Sequence, residues 1–185
     1  MLRIFKVIII FVVILFCLHI HKFKKYNTSY EIQQQELDYI DGNNLYNQLS
    51  PLIITFIEDT TFKNNINSYE LYSSMSFNKK HNLYNTGKEY IAHSKEFLLL
   101  RPKGEIVVEL INPKFKNLFS KKGKDHLFQK FTLQEKNYKK VKSIDIIVRE
   151  YNILVIPRQW LFMINDKSVE IFTADNIFTY LFGKF

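Results

Sequence analysis

The feature that most constrains this chain is the apolar run from Val7 to Leu18, VIIIFVVILFCL. From Ile4 to Ile20 only Lys6 and His19 interrupt it, and at the α-helical rise the stretch spans roughly 25 Å, the lower end of a bilayer crossing. Arg3 and Lys6 stand before the run, and Lys22, Lys24 and Lys25 after it. Their long stems can lie in lipid while the charges reach the two headgroup layers. Residues 1–25 therefore read as a transmembrane anchor with basic flanks. A cleaved secretory signal is the competing reading, but cleavage needs small residues just past the apolar core. Here the exit is Cys17-Leu18-His19-Ile20-His21-Lys22. A buried core helix fits less well, because β-branched residues crowd the run.

Orientation is not fixed by the flanking cations, which are nearly balanced on the two sides. The only cysteine, Cys17, lies inside the run, so the remainder cannot be stapled by disulfides as small extracytoplasmic domains often are. The expectation is a single-pass, signal-anchored chain with its soluble part on the cytosolic side.

The chain has 185 residues and a formal charge of +8, which suggests a nucleic-acid footprint until it is partitioned. Five of the 26 cations and none of the 18 acids fall in residues 1–25. The rest carries 21 cations against 18 acids, a net of +3, so nucleic acid is not the expected partner. About 160 residues are enough for one domain with a real core.

Residues 26–50 form a polar juxtamembrane stalk and lead-in segment, and residues 51–185 read as the β domain. Pro51 opens a short β-branched run, Leu52 to Ile57, expected as a buried strand. Residues 58–90 read as a long polar connection. Glu96 to Arg101 and Glu105 to Ile111 flank Pro102-Lys103-Gly104, a pattern that predicts a hairpin with Gly104 at positive φ. The runs Ile144–Val148, Ile153–Ile156, Trp160–Ile164 and Val169–Thr173, separated by turn residues, predict an antiparallel sandwich or barrel. Asp175 could cap a short closing helix that carries Ile177, Phe178, Leu181 and Phe182 at helical spacing.

Residues 114–142 hold ten lysines against Asp125 and Glu135. Read functionally, Lys121, Lys122, Lys124, Lys139, Lys140 and Lys142 are candidates for an anionic surface such as lipid headgroups. Read plainly, the segment is a solvated insertion between strands, since its lysines lack helical spacing and arginine is absent.

In its order of pieces the chain resembles the cupin-like, JmjC-type double-stranded β-helix domains. The residues that carry the resemblance are Tyr151-Asn152-Ile153-Leu154-Val155-Ile156-Pro157 followed by Trp160, together with Phe97 to Pro102 and the Pro51-led run. The chain as a whole also resembles uncharacterised proteins of large DNA viruses of protists. The first likeness implies an antiparallel jelly roll. Its catalytic members hold Fe(II) with a His-x-Asp or His-x-Glu pair and a distal His. Here His81 is followed two residues on by Leu83 and His93 by Lys95, and Phe162 stands where the distal His would sit. The resemblance thus implies the fold without its chemistry.

No glycine-rich phosphate loop and no clustered Cys or His for zinc is present. No catalytic residue, bound metal or cofactor is therefore expected. Trp160, Arg101 and His93 are the candidate pocket-lining residues. The reading is a mainly β, membrane-anchored binding or structural module whose partner is the lipid bilayer. Two alternatives stay open: a tethered oxygenase with unusual ligands drawn from His81, His93 and Glu96, and a docking protein for anionic lipid or nucleic acid.

Overall fold

The apolar run is helical: α1 covers Leu2–Lys24. The computed structural model describes residues 2–24, 28–36, 45, 48–55, 79–84, 89–124, 127–150, 152–164 and 168–175. From Ile4 to Ile14 the apolar side chains of α1 are exposed all round its circumference. Their continuous described stretch, Ile4 to Leu18, is about 22 Å long. Among the described residues, no helix is long and apolar enough to cross a membrane.

Twelve strands follow among the described residues: β1 (Gln33–Glu36), β2 (Leu52–Thr55), β3 (Lys79–Tyr84), β4 (Tyr90–His93), β5 (Phe97–Arg101), β6 (Ile106–Ile111), β7 (Phe119–Lys124), β8 (Phe128–Leu133), β9 (Ser143–Val148), β10 (Asn152–Pro157), β11 (Leu161–Ile164) and β12 (Ser168–Ala174). They form two six-stranded sheets, ordered β1-β2-β10-β5-β12-β3 and β7-β8-β4-β11-β6-β9. Every pairing is antiparallel except β1 with β2, which is parallel. From β3 to β6, and again from β9 to β12, successive strands fall in opposite sheets.

Period-two alternation explains the layering. In β5, Leu98 and Leu100 face the second sheet, where Val108, Leu110, Phe162 and Ile164 meet them in the main core. Phe97 and Leu99 point to the other face and pack with Leu52, Ile54, Ile153, Val155 and Phe172. Because β5 is buried on both faces, its sequence FLLLR reads as a continuous apolar run. The main core is therefore shared by two face-to-face sheets, a β-sandwich. The outer face of the second sheet carries its own apolar layer of Tyr90, Ala92, Phe119, Phe131, Leu133 and Leu161, with Phe115 and Leu118 packed on it.

The four closing runs fall in β9, β10, β11 and β12 as expected. The hairpin does not form. β5 pairs with β10 and β12 in one sheet, whereas β6 pairs with β11 and β9 in the other. Residues 102–105 thus turn a corner between layers about 10 Å apart, which four extended residues can span. Gly104 needs no left-handed backbone there, and an added Cβ would meet nothing within 4 Å. Within residues 26–50, β1 is zipped onto β2. The lysine-rich insertion holds two 3-10 helices, Pro113–Leu118 and Glu135–Lys140, around the β7–β8 hairpin, which extends the second sheet. One strand, β3, falls within the stretch read as a connection, and β4 begins at its last residue. The closing helix over Ile177 to Phe182 lies outside the described residues.

Candidate functional site

Because β10 and β12 flank β5 and run antiparallel to it, their last residues fall beside its first ones. Pro157 and Ala174 both pair with Phe97. The residues just beyond, Arg158 and Asp175, are thereby brought against Glu96, which precedes β5. Glu96 N donates to Ala174 O (3.1 Å) and to Asp175 Oδ1 (3.2 Å), and Arg158 N donates to Glu96 O (3.2 Å).

Two ion pairs close this end of the sandwich. Arg158 Nη1 donates to Glu96 Oε2 at 3.0 Å, with both side chains 3% exposed. Lys95 Nζ donates to Asp175 Oδ2. Burial lowers the Arg158 pKa, and the Glu96 carboxylate opposes that shift. A pair this deep gains Coulomb energy in a poor dielectric while both partners lose hydration, so its net stabilisation is small. Removing one partner strands the other without solvent, and that is costly.

His93, the last residue of β4, completes the cluster. Its Nε2 lies 3.0 Å from Ile156 O, which assigns the proton to that nitrogen. Burial pushes its pKa down to about 4, against the opposing pull of backbone groups of Ile156, Pro157 and Lys95 and with a smaller push from Lys116. At neutral pH the ring is an uncharged donor bridging the two sheets, because Ile156 belongs to β10 in the facing sheet.

The sequence-predicted residues are scattered by the fold. Trp160 is fully buried in the main core, and its Nε1 donates to Leu49 O at 3.1 Å. Phe162 pairs with Ile91, so continuing that register brings Trp160 toward His93. Arg101 closes the other end of β5, paired with Glu170, about 13 Å along the strand from Phe97. His81 lies on β3 opposite Ile171, while Glu96 is engaged by Arg158. Among the described residues, no group of three or more His, Cys, Asp or Glu side chains could hold a metal ion.

Of the surface lysines, Lys121, Lys122 and Lys124 are exposed on β7, and Lys139, Lys140 and Lys142 are exposed around the end of the second 3-10 helix. Lys122 and Lys130 share Glu89 at 3.6 and 3.4 Å.

Arg158 and Asp175 went unread as site residues in the sequence. The available signal was a charge just outside each apolar run: Glu96 before FLLL, Arg158 after ILVIP and Asp175 after IFTA. Pairing them required the strand order. No known protein family matches this sequence, and a search of characterised proteins found none significantly similar.

Proposed function

We propose that this protein is a membrane-anchored, non-enzymatic binding or structural module built on a double-stranded β-helix. Support for that topology comes from the inner strand orders β3-β12-β5-β10 and β4-β11-β6-β9. Number these eight strands one to eight along the chain, leaving out the β7–β8 hairpin, and the orders become 1-8-3-6 and 2-7-4-5. A jelly roll interleaves its strands in this order, which supports the double-stranded β-helix reading.

The observation that carries the non-enzymatic reading is the committed state of the polar groups at the end where β4 meets β11. His93 Nε2 is bound to the Ile156 carbonyl and Glu96 to Arg158. Glu96 would have to break its buried ion pair before it could serve a metal or substrate, and His93 Nδ1, the ring nitrogen without a hydrogen-bond partner, has no group of three His, Cys, Asp or Glu to join among the described residues. Purified full-length chain in neutral detergent tests this. It should hold no stoichiometric iron or zinc after incubation with either, and should not turn over 2-oxoglutarate. One metal per chain, lost on His93→Ala, would overturn the reading and favour the oxygenase alternative.

Anchoring is supported by α1. An apolar helix exposed on every side calls for an apolar partner, and lipid supplies one without sequence-specific contacts. Alkaline carbonate extraction of membranes should leave the full chain in the pellet; release into the supernatant would refute the anchor. The soluble part is placed on the cytosolic side in this reading.

A further inference from the structure

Resting on the anchor reading, we propose that the outer layer of the second sheet, bearing Lys114, Lys116, Lys121, Lys139 and Lys140, is a docking face for the anionic headgroups of the membrane that holds α1.

The argument begins where the chain leaves the helix. Only residues 25–27 separate Lys24, the end of α1, from Thr28, so the Cα atoms of Lys24 and Thr28 are at most about 14 Å apart. Thr28, Ser29 and Tyr30 are bound to the start of the lysine-rich insertion. Asn112 Nδ2 donates to Ser29 O at 2.9 Å, and Lys114 Nζ donates to Thr28 O at 3.5 Å. The same ammonium sits 4.2 Å over the Tyr30 ring, which in turn packs 6.0 Å from Phe115. Asn112 also accepts from Lys114 N at 3.1 Å and so caps the first 3-10 helix. One asparagine therefore fixes both the helix and the stalk.

This tie places the insertion at the membrane. With α1 in the bilayer, the first 3-10 helix lies within a short peptide reach of the lipid surface. That reach, at most about 14 Å, is between one and two Debye lengths at ordinary salt.

Among the described residues, none of these five lysines is ion-paired with an acid, although Glu135 opens the second 3-10 helix. The first 3-10 helix has no acid in its first turn. Lys116 Nζ lies 5.4 Å over the Phe131 ring, and its pKa is lowered by burial and by repulsion from Lys121. Asn137 Nδ2 donates to Leu118 O at 3.0 Å, which binds the second 3-10 helix, with Lys139 and Lys140 in its last turn, to the first. An external anion relieves this repulsion. Lysine suits a diffuse headgroup surface, where each point charge adds attraction without needing a fixed geometry. Among the described residues, Lys116 lies near Lys121 from β7, the ring of Phe131 from β8 and, more weakly, His93 from β4.

The test uses the full chain in vesicles of phosphatidylcholine alone or mixed with phosphatidylserine, with lysine acylation read by mass spectrometry. In phosphatidylserine vesicles at low salt, Lys114, Lys116 and Lys121 should label at least threefold more slowly than in neutral ones, and high salt should erase the difference. Lys103, 74% exposed beside Glu170, serves as the control and should not change. Asn112→Ala should reduce the protection without removing it. Equal labelling in both vesicles, with the chain still resistant to carbonate, overturns docking alone. Release by carbonate overturns the anchor and docking together. Stronger protection by a short RNA or DNA than by phosphatidylserine overturns the lipid assignment.

Discussion

His93→Gln should flatten the acid side of the stability curve. In the unfolded chain the imidazole titrates near its ordinary value of 6.5, and in the fold near 4. Between those values the unfolded state takes up a proton that the folded state refuses, so stability is intact above about 6.5 and falls as pH drops toward 4. A gap of about 2.5 pH units corresponds to roughly 3 kcal/mol in total, of which about 2 kcal/mol is lost between pH 7 and pH 5. In a domain of this size that is a fall in Tm of roughly 4–8 °C. Glutamine can still donate to the Ile156 carbonyl but cannot titrate, so the variant should lose about 2 kcal/mol less than the parent over the same interval. Comparing slopes within each protein cancels any general destabilisation by the substitution. Subtracting the two curves removes contributions common to both, including those of Lys95, Glu96, Arg158 and Asp175 around the ring and of Lys116 from the outer layer. Trp160 is the only tryptophan and is buried, so its emission during urea unfolding reports the transition directly. Identical slopes in parent and variant would refute the argument that burial holds His93 neutral.

Arg158→Met should cost about 3–5 kcal/mol by stranding the Glu96 carboxylate, whereas Arg158→Met with Glu96→Leu should recover most of it in urea titrations; equal losses would argue against a buried pair. Trp160→Phe keeps most of the apolar volume but leaves the Leu49 carbonyl without its indole donor. A loss of about 1–3 kcal/mol and earlier proteolysis near residues 48–50 are expected. Tyr90→Phe removes the 2.9 Å hydrogen bond to Glu109 and should cost about 1.5–3 kcal/mol by chemical denaturation. Leu100→Ala, in the centre of the main core, should cost about 2–5 kcal/mol.

The parts legible in the sequence are those where one periodicity acts alone. The unbroken apolar run became α1, and the four closing runs became β9 to β12 because short apolar stretches between turn residues have few other solutions. The hairpin failed for a topological reason. Phe97 to Leu100 is apolar at every position, which marks a strand covered on both faces, and such a strand seeks two neighbours in its own sheet. A proline-glycine corner serves equally well to change layers. β3 went unread because Lys79-Lys80-His81-Asn82 carries no alternation, and its place at the end of a sheet needs little. The lysine-rich segment looked like pure surface, although Phe115, Leu118, Phe119 and Phe131 were enough to cover one face of a sheet. The contacts of Glu96 could not be read locally, since its ion-pair partner Arg158 is 62 residues away and Asp175, which accepts from its backbone N–H, is 79.

The borders of the sheets have a consequence of their own. Gln33, Gln34, Gln35 and Glu36 line one border of the first sheet and Lys79 and Lys80 stand on the other, while β7 closes the second sheet with three lysines and an irregular step between Lys121 and Gly123. The lysine-bearing, irregular rim of β7 repels and mismatches an identical rim, so copies of the chain would not be expected to pair through that edge. That protection matters most when molecules are confined to a plane, where tethering raises the rate at which neighbours collide.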